Sequence, residues 1–359
     1  MTDDASIRRL KTRIRVLERA LRRAEEQHIS FEEVRREILD LREASAARQP
    51  KWLNTPIAKG SSPGTPVLLL SDWHMGERVR AAETGGLNAY SREISIRRVH
   101  RVVEATIVLA RDYMVNPDYP GIVVGLLGDM VTGEIHDELA RTNDVDPMPV
   151  LLLTVDLLVQ ALVRLADTFG RVFAPCVSGN HGRTDKKMPA KTFSARNFDW
   201  LIYQLVERRL ADRGETRIRI AAPEENEVSF AIHGHRFLAL HGHDLGVRGG
   251  DGIIGALGPI MRGRLKTAGQ KASIGQDFDT LLMGHWHQYI TLPGLVVNNT
   301  LKGFDEYAAK FLRAPPSRPS QALFYVHPEQ GLTSHWQVFA EPPTRRPGGQ
   351  KWVDNAYYP

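Results

Sequence analysis

The side chains best suited to chemistry in this 359-residue chain follow a recurring pattern. The apolar run Val67 to Leu70 leads at once into Asp72 and His74, which have one residue between them. IVVGLLGD then ends in Asp129, VFAPCVSGNH in Asn180 and His181, FLALHGH in His241 and His243, and TLLMGHWH in His285 and His287. A short apolar run bounded by turn-formers reads as a buried strand. Open α/β sheets place their ligands at the carboxyl ends of such strands. One histidine beside a strand is ordinarily a satisfied core or loop residue. Five such runs, each capped by oxygen or imidazole donors, predict strand tips converging on a metal centre.

Asp72, His74, Asp129, Asn180, His241, His285 and His287 are the candidate ligands. One ion takes about four to six protein ligands, so this set suits two ions, and an aspartate between them can bridge both. Carboxylate, amide and imidazole donors without thiolate suit Mn²⁺, Fe, Zn²⁺, Co²⁺ or Ni²⁺ rather than Ca²⁺. Two such ions about 3.5–4 Å apart hold a hydroxide and clamp an in-line phosphoryl displacement.

The elements that must position these groups are legible in outline. Strands are expected at 122–127, 172–177, 217–221, 228–232, 236–240, 280–283 and 295–298, with late strands at 322–326 and 334–339. Helices are expected at 91–114, 150–169 and 195–211. Polar loops cover 78–90 and 131–149. Residues 246–278 form an insertion rich in glycine and arginine, where glycine supplies backbone freedom more than stability. The domain runs from 67 to 341, and the tail 342–359 is expected to be loose.

Ahead of it lies a helical arm, residues 1–48. Ile7, Leu10, Ile14, Leu17, Leu21 and Ala24 follow coiled-coil spacing, and the other faces carry Arg8, Arg9, Lys11, Arg13, Arg15, Arg19, Arg22 and Arg23. Ser30 and Glu33 form a capping box that starts a second helix. Self-association through residues 5–45, packing onto the domain, and a nucleic-acid-binding role are the three readings of this arm. Residues 49–66 read as a linker rich in Pro, Gly and Ser. The net charge of +5 is compatible with a phosphate-bearing partner. The single Cys176 excludes an internal disulfide and reads as a buried, inert thiol. The charged amino terminus is not expected to act as a signal peptide, and Asp156, Gln160 and Arg164 interrupt the apolar stretch 148–165, which argues against a membrane span. A soluble cytoplasmic protein is expected.

The series Asp72-x-His74, Gly128-Asp129, Gly179-Asn180-His181, His241-Gly242 and Gly284-His285-x-His287 resembles the five-motif signature of calcineurin-like metallophosphoesterases, over roughly residues 67–300. The resemblance implies a four-layer α/β/β/α sandwich, here preceded by the helical arm. It implies one metal on Asp72, His74, Asp129 and His287 and the other on Asp129, Asn180, His241 and His285, with Mn²⁺ the first expectation. It also implies that His181 stays off the metals and faces the scissile phosphate, as a charge stabiliser or as a proton donor to the leaving oxygen. Many relatives carry an acid after the Asn-His pair, whereas this chain has Gly182 and Arg183, with Asp185 as the nearest substitute. The motif match favours His241 over His243 as ligand, leaving His243 behind the ligands or on the substrate side. GNHGRTDKK and NTLKGFDEYA also look like segments of phage- and prophage-encoded members described as phosphoesterases or exonucleases.

Two activities follow. The first is hydrolysis of phosphodiesters in DNA or RNA by a metal-activated hydroxide. Arg183, Lys186, Lys187 and Lys191, the basic insertion and the basic arm would track the backbone, and Trp73, Trp286, Tyr289 and Phe304 are candidates to stack a base. The alternative is a phosphomonoesterase or small-molecule phosphodiesterase, for which the same charge serves a small dianion. A non-catalytic scaffold with an inherited fold is the third class, disfavoured by the complete ligand set.

Overall fold

A computed structural model describes residues 49–54, 64–247 and 255–342. The arm 1–48, the linker residues 55–63 and the tail beyond 342 lie outside the described residues, and the coiled-coil expectation with them. In chain order the first half forms β1 (Thr65–Leu70), α1 (Arg92–Asp112), β2 (Ile122–Leu126), α2 (Asp137–Thr142), α3 (Pro147–Phe169), β3 (Val172–Pro175), α4 (Phe198–Asp212) and β4 (Ile218–Ala221). The second half forms β5 (Val228–Ile232), β6 (His235–Ala239), α5 (Leu257–Ser273), β7 (Thr280–Met283), β8 (Ile290–Leu292), β9 (Leu295–Val297), β10 (Ser320–His327) and β11 (Gly331–Phe339).

β1 shows why the ligand-bearing strands are apolar throughout. Successive side chains leave opposite faces of a strand. Leu68 and Leu70 join one buried cluster with Val124, Leu126 and residues of α1, α3 and α4. Val67 and Leu69 join another with Val123, Phe173 and Phe324. A strand covered on both faces has no polar side to alternate with. β1 to β4 pair in parallel, and β10 and β11 extend the β1 edge antiparallel, in the order β11-β10-β1-β2-β3-β4. A second sheet, β5-β6-β7-β9-β8, sends Phe230, Ile232, Phe237, Ala239, Leu282 and Val296 into the cluster that holds Val67 and Leu69. Its other face, through Leu238, Leu281, Met283 and Val297, packs with Leu245 and with Ile260 of α5. The fold is therefore mixed α/β, with two facing sheets and helices on their outer faces.

The helices obey local rules. Ser91 caps α1 by accepting from the Ile94 N–H, Pro147 opens α3, Gly170 ends it at φ 77°, and Asn197 caps α4 by accepting from the Asp199 N–H. α3 is long and apolar enough to cross a membrane, but it packs here as a core helix through Leu158, Leu162 and Leu165.

Several expectations shift. Residues 246–278 are not glycine-loosened throughout, because α5 occupies 17 of them. Gly263 serves α5 by close approach: a Cβ there would lie 2.8 Å from Leu245. β8 was not expected; its residues are half-buried at a sheet edge and carry a weak pattern. Within the expected linker, Trp52 and Leu53 are buried against the inter-sheet cluster, and the Leu53 carbonyl accepts from the His233 N–H at 3.0 Å. Cys176 is buried, and burial raises its pKa as expected of an inert thiol.

Candidate metal centre

Each candidate ligand lies just beyond a strand end: Asp72 and His74 after β1, Asp129 after β2, Asn180 after β3, His241 after β6, and His285 and His287 after β7. The chain turns there under strain. Asp72, His74, Asp129, His285 and His287 have φ of 52, 48, 51, 69 and 51°, the left-handed region that non-glycine residues avoid. Each costs about 1–3 kcal/mol and persists only where surrounding structure imposes it. Here the imposition is a ladder that outlasts the strands. The N–H groups of Asp72, His74 and Met75 donate to the carbonyls of Gly128, Asp129 and Met130 at 2.9, 3.0 and 3.0 Å. Neighbouring glycines admit the carboxylates. A Cβ at Gly179 would lie 2.1 Å from Asp129 Oδ1, and one at Gly284 2.4 Å from Asp72 Oδ2.

The donor atoms converge in overlapping groups. Asp72, His74 and His287 form one triad, Asp129, His241 and His285 another, and His74, Asp129 and His181 a third that joins them; within each, the donor atoms lie within 4.8 Å of one another. His74 Nε2 and His287 Nε2 face each other at 3.0 Å, and His287 Nε2 is 3.3 Å from Asp72 Oδ1. His241 Nε2 is 3.1 Å from Asp129 Oδ2, while its Nδ1–H donates to the Leu127 carbonyl at 2.6 Å, which fixes the ring. Asn180 Oδ1 is buried without a hydrogen-bond partner. A buried, orphaned amide oxygen beside two imidazole–carboxylate triads fits a bound cation. The clustered Asp and His residues can hold divalent metal ions.

The electrostatics agree. Burial opposes charge on Asp129, yet the imidazoles of His241, His181 and His74 hold it well below the usual carboxylate range. Burial would lower His241, but the Asp129 carboxylate outweighs it and pushes His241 up to about 10. Burial, reinforced by the charge of His241, takes His243 and His285 down to about 3. Those rings are neutral and their lone pairs free to bind metal.

His181 occupies the middle of this cluster. Its N–H donates to Asp129 Oδ1 at 2.7 Å, and its ring Nδ1 is 3.1 Å from the Thr132 carbonyl, so Nε2 is left for another partner. The ring lies 4.6 Å from that of His74. His243 sits 5.4 Å from the His241 ring and 5.1 Å from Phe193, with Nδ1 unpartnered. The basic candidates are placed differently from one another. Arg183 donates to the carbonyls of Asn180, Asp185 and Lys186, Lys186 pairs with Asp137 at 2.9 Å, and Lys187 is exposed. Asp185 is held by Arg196 at 2.7 and 2.9 Å and does not orient His181. Trp73 is fully buried in the core, whereas Trp286, Tyr289 and Phe304 line an open cleft of about 1020 Å³ together with Asp129, His181, His285 and His287.

Some residues of the centre carry no sequence signal. Asp199, near the start of α4, accepts from the N–H groups of Asp129, Met130 and Gly179 at 2.8, 3.1 and 2.8 Å. Asn197 adds a bond to the Gly179 carbonyl. Gly182 makes room for this, since a Cβ there would lie 3.2 Å from the Asp199 carboxyl carbon. Asp199 thus braces the turns that carry Asp129 and Gly179, while the His181 ring takes the Thr132 carbonyl as its partner. Glu77 lies 3.6 Å from His74 Nδ1, accepts from Thr132 Oγ1, and pairs with Lys302 at 2.9 Å. In sequence, Asp199 looks like a helix-start acid and Glu77 like a loop residue.

No family model matches this chain, and no curated protein does. Among solved structures, a Staphylococcus aureus protein described as a 5′-nucleotidase, in complex with alpha-ketoglutarate, is similar over 78% of this chain and 55% of that one, at 11% identity and a TM-score of 0.31. This chain therefore covers little more than half of that protein's length. Likeness at that level carries no argument about function, which rests on the geometry above.

Proposed function

We propose that this chain is a two-metal phosphoesterase of the calcineurin-like type that hydrolyses phosphodiesters, with DNA or RNA as substrate. The observation that carries the reading is Asp129, a carboxylate shared between two overlapping Asp/His groups at converging strand ends. The two facing sheets with outer helices support the four-layer arrangement. In this reading Asp72, His74, Asp129 and His287 hold one ion, and Asp129, Asn180, His241 and His285 the other. Two bound ions supply Lewis-acid polarisation of the phosphoryl group and an activated water at neutral pH. Mn²⁺ is proposed for a donor set of oxygen and imidazole. His181, fixed through Nδ1, presents Nε2 to the scissile phosphate and steadies developing charge or protonates the leaving oxygen. Lys187 and His243 are proposed substrate contacts, joined by Arg183 and Lys186 once their present partners are exchanged for phosphate.

A specific observation favours the second reading, a nucleotide or other small phosphate ester. Arg183 and Lys186 are engaged within their own surroundings, Lys271 of α5 pairs with Glu227, and Arg264 donates to the Gly294 carbonyl. Fewer cations are then left for a long phosphate backbone. The deciding experiment incubates the Mn²⁺-loaded protein in parallel with single-stranded DNA, duplex DNA, RNA, and a chromogenic diester and monoester. Polymer cleavage supports the nuclease; turnover of the monoester alone supports the small-ester enzyme; turnover of none removes both.

The remaining proposals concern the setting. The arm 5–45 is proposed to drive homo-oligomerisation, and the chain is proposed to work in the cytoplasm. A phage or prophage relationship rests on the two segments GNHGRTDKK and NTLKGFDEYA alone.

A further inference from the structure

One wall of the cleft has an exposed aromatic surface that folding does not explain. Tyr307 and Phe311 are 60% and 76% exposed, and their rings stack with centroids 5.6 Å apart at an interplanar angle of 30°. Tyr307 directly precedes, and Phe311 lies within, a single π-helical turn, Ala308–Leu312, closed by Arg313 in the left-handed conformation. Such turns are uncommon and recur at functional sites. Large rings left in water beside one another mark a binding surface.

The turn is anchored to the metal centre by buried charges. Asp305 Oδ1 accepts from the Ala308 N–H at 2.7 Å, and Lys302 Nζ lies 2.6 Å from Asp305 and 2.9 Å from Glu77, whose other oxygen is 3.6 Å from His74 Nδ1. Asp305, Lys302 and Glu77 are each less than a tenth exposed. A route of ion pairs thus holds the stacked rings at a fixed position relative to a candidate ligand. The same cleft joins them to His181 and His287 and adds Trp286 and Tyr289.

We propose that Tyr307 and Phe311 are a stacking platform for an unpaired nucleobase whose phosphate lies at the metal centre, so that the substrate is single-stranded nucleic acid or a nucleotide ester. This rests on the phosphoesterase reading for the phosphate end only. A base offers a planar π-face of the kind these rings accept, irrespective of sequence. A duplex hides its bases in its own stack. A protein partner would have to cover a cleft whose floor is an imidazole–carboxylate cluster and a buried lysine.

The test uses the full chain and the double variant Tyr307→Leu/Phe311→Leu, which keeps apolar bulk and removes the π-faces. Tyr307→Phe/Phe311→Tyr keeps the rings and serves as the control. p-Nitrophenyl thymidine 5′-phosphate and methyl p-nitrophenyl phosphate share a leaving group, so the ratio of their kcat/KM reads the nucleoside, and its change between ring-bearing and leucine variants reads the stacking of the base. Wild type and the ring-keeping control are expected to favour the thymidine ester by about tenfold or more, and the leucine variant to lose about tenfold of that ratio. Binding is read separately, by fluorescence polarisation of a labelled, phosphorothioate-linked hexathymidylate against an abasic hexamer of equal charge. Tighter binding of the base-bearing strand by wild type and not by the leucine variant supports the platform, even if neither ester is turned over, in which case only the catalytic reading fails. Equal binding of both strands by wild type, or a base preference that survives in the leucine variant, overturns it.

Discussion

At the scale of single residues, Asp129 carries the most consequence. Its carboxylate lies between two imidazole-bearing groups, and its charge offsets that of both proposed ions. Asp129→Asn is expected to leave less than one ion per chain by elemental analysis and to reduce turnover to background; two ions per chain in the variant would reject the bridging assignment. His181 is a different case, because geometry alone lets its Nε2 face either a metal or a substrate. If it faces the phosphate, His181→Ala keeps both ions and loses about 10²- to 10⁴-fold in kcat on an alkyl diester, and less on a nitrophenyl ester whose leaving group needs no proton. Loss of an ion from this variant would place His181 among the ligands. His241 makes a pH prediction. Asp129 raises its folded pKa from 6.5 to about 10, so in metal-free protein the pair contributes stability fully present below pH 6.5 and lost as pH climbs towards 10. Burial raises Asp199 only to about 7, and His243 and His285 titrate near 3, so none of these interferes above pH 7.5. Urea unfolding in chelator should show stability falling by about 1.4 kcal/mol per pH unit from about pH 7.5, and more steeply near pH 9, where the unfolded Cys176 thiol ionises and the buried one does not. Metal loading, which requires the neutral ring, should flatten that slope. An equal slope with and without metal would detach His241 from the centre.

At the scale of elements, the ligand turns are held by a helix that contributes no ligand. α4 sends Asp199 to three backbone N–H groups of the turns after β2 and β3, and its cap residue Asn197 adds the Gly179 carbonyl. Removing the acceptor strands buried donors at about 1–3 kcal/mol each. Asp199→Ala is expected to lower stability by about 3 kcal/mol or more and to weaken metal affinity about 10- to 100-fold, as outer-sphere partners do. Asp199→Asn, which keeps one oxygen, should recover part of both. Calorimetry and Mn²⁺ titration on the two variants check this. Unchanged metal affinity in a folded Asp199→Ala protein would show that the turns hold themselves.

At the scale of the whole molecule, the clustered Asp and His residues of the candidate metal centre and the described residues that line the cleft fall between residues 64 and 342. Deleting residues 1–48 should therefore leave small-ester turnover within about twofold while changing the mass per particle, because the heptad spacing belongs to association rather than chemistry. The cut must stop before Gln49. Gln49 Oε1 accepts from the Ala231 N–H at 2.8 Å, and Trp52 and Leu53 fill the inter-sheet cluster. Light scattering of the same mass before and after deletion would remove the oligomerisation role. Weaker nucleic-acid binding with a shallower salt dependence would assign the basic face to substrate instead.

The sequence by itself determined what depends on neighbours along the chain. Apolar runs such as Val67 to Leu70 set buried strands, and Asp72 and His74 follow because a ligand at a strand tip must be covalently next to it. Ser91 and Pro147 likewise marked their helix starts through local capping chemistry. What only the tertiary structure decided is which of these tips meet. His74 and His287 face each other at 3.0 Å although β1 and β7 belong to different sheets. The bracing of the ligand turns by Asp199, the Glu77–Lys302–Asp305 chain and the burial of Trp52 have the same origin. Nor does any local pattern announce the left-handed turns at Asp72, His74, Asp129, His285 and His287, since non-glycine residues adopt them only under long-range constraint. Composition and periodicity report what a residue prefers among its own neighbours; these contacts join distant segments, and their stability exists only once both sheets are packed.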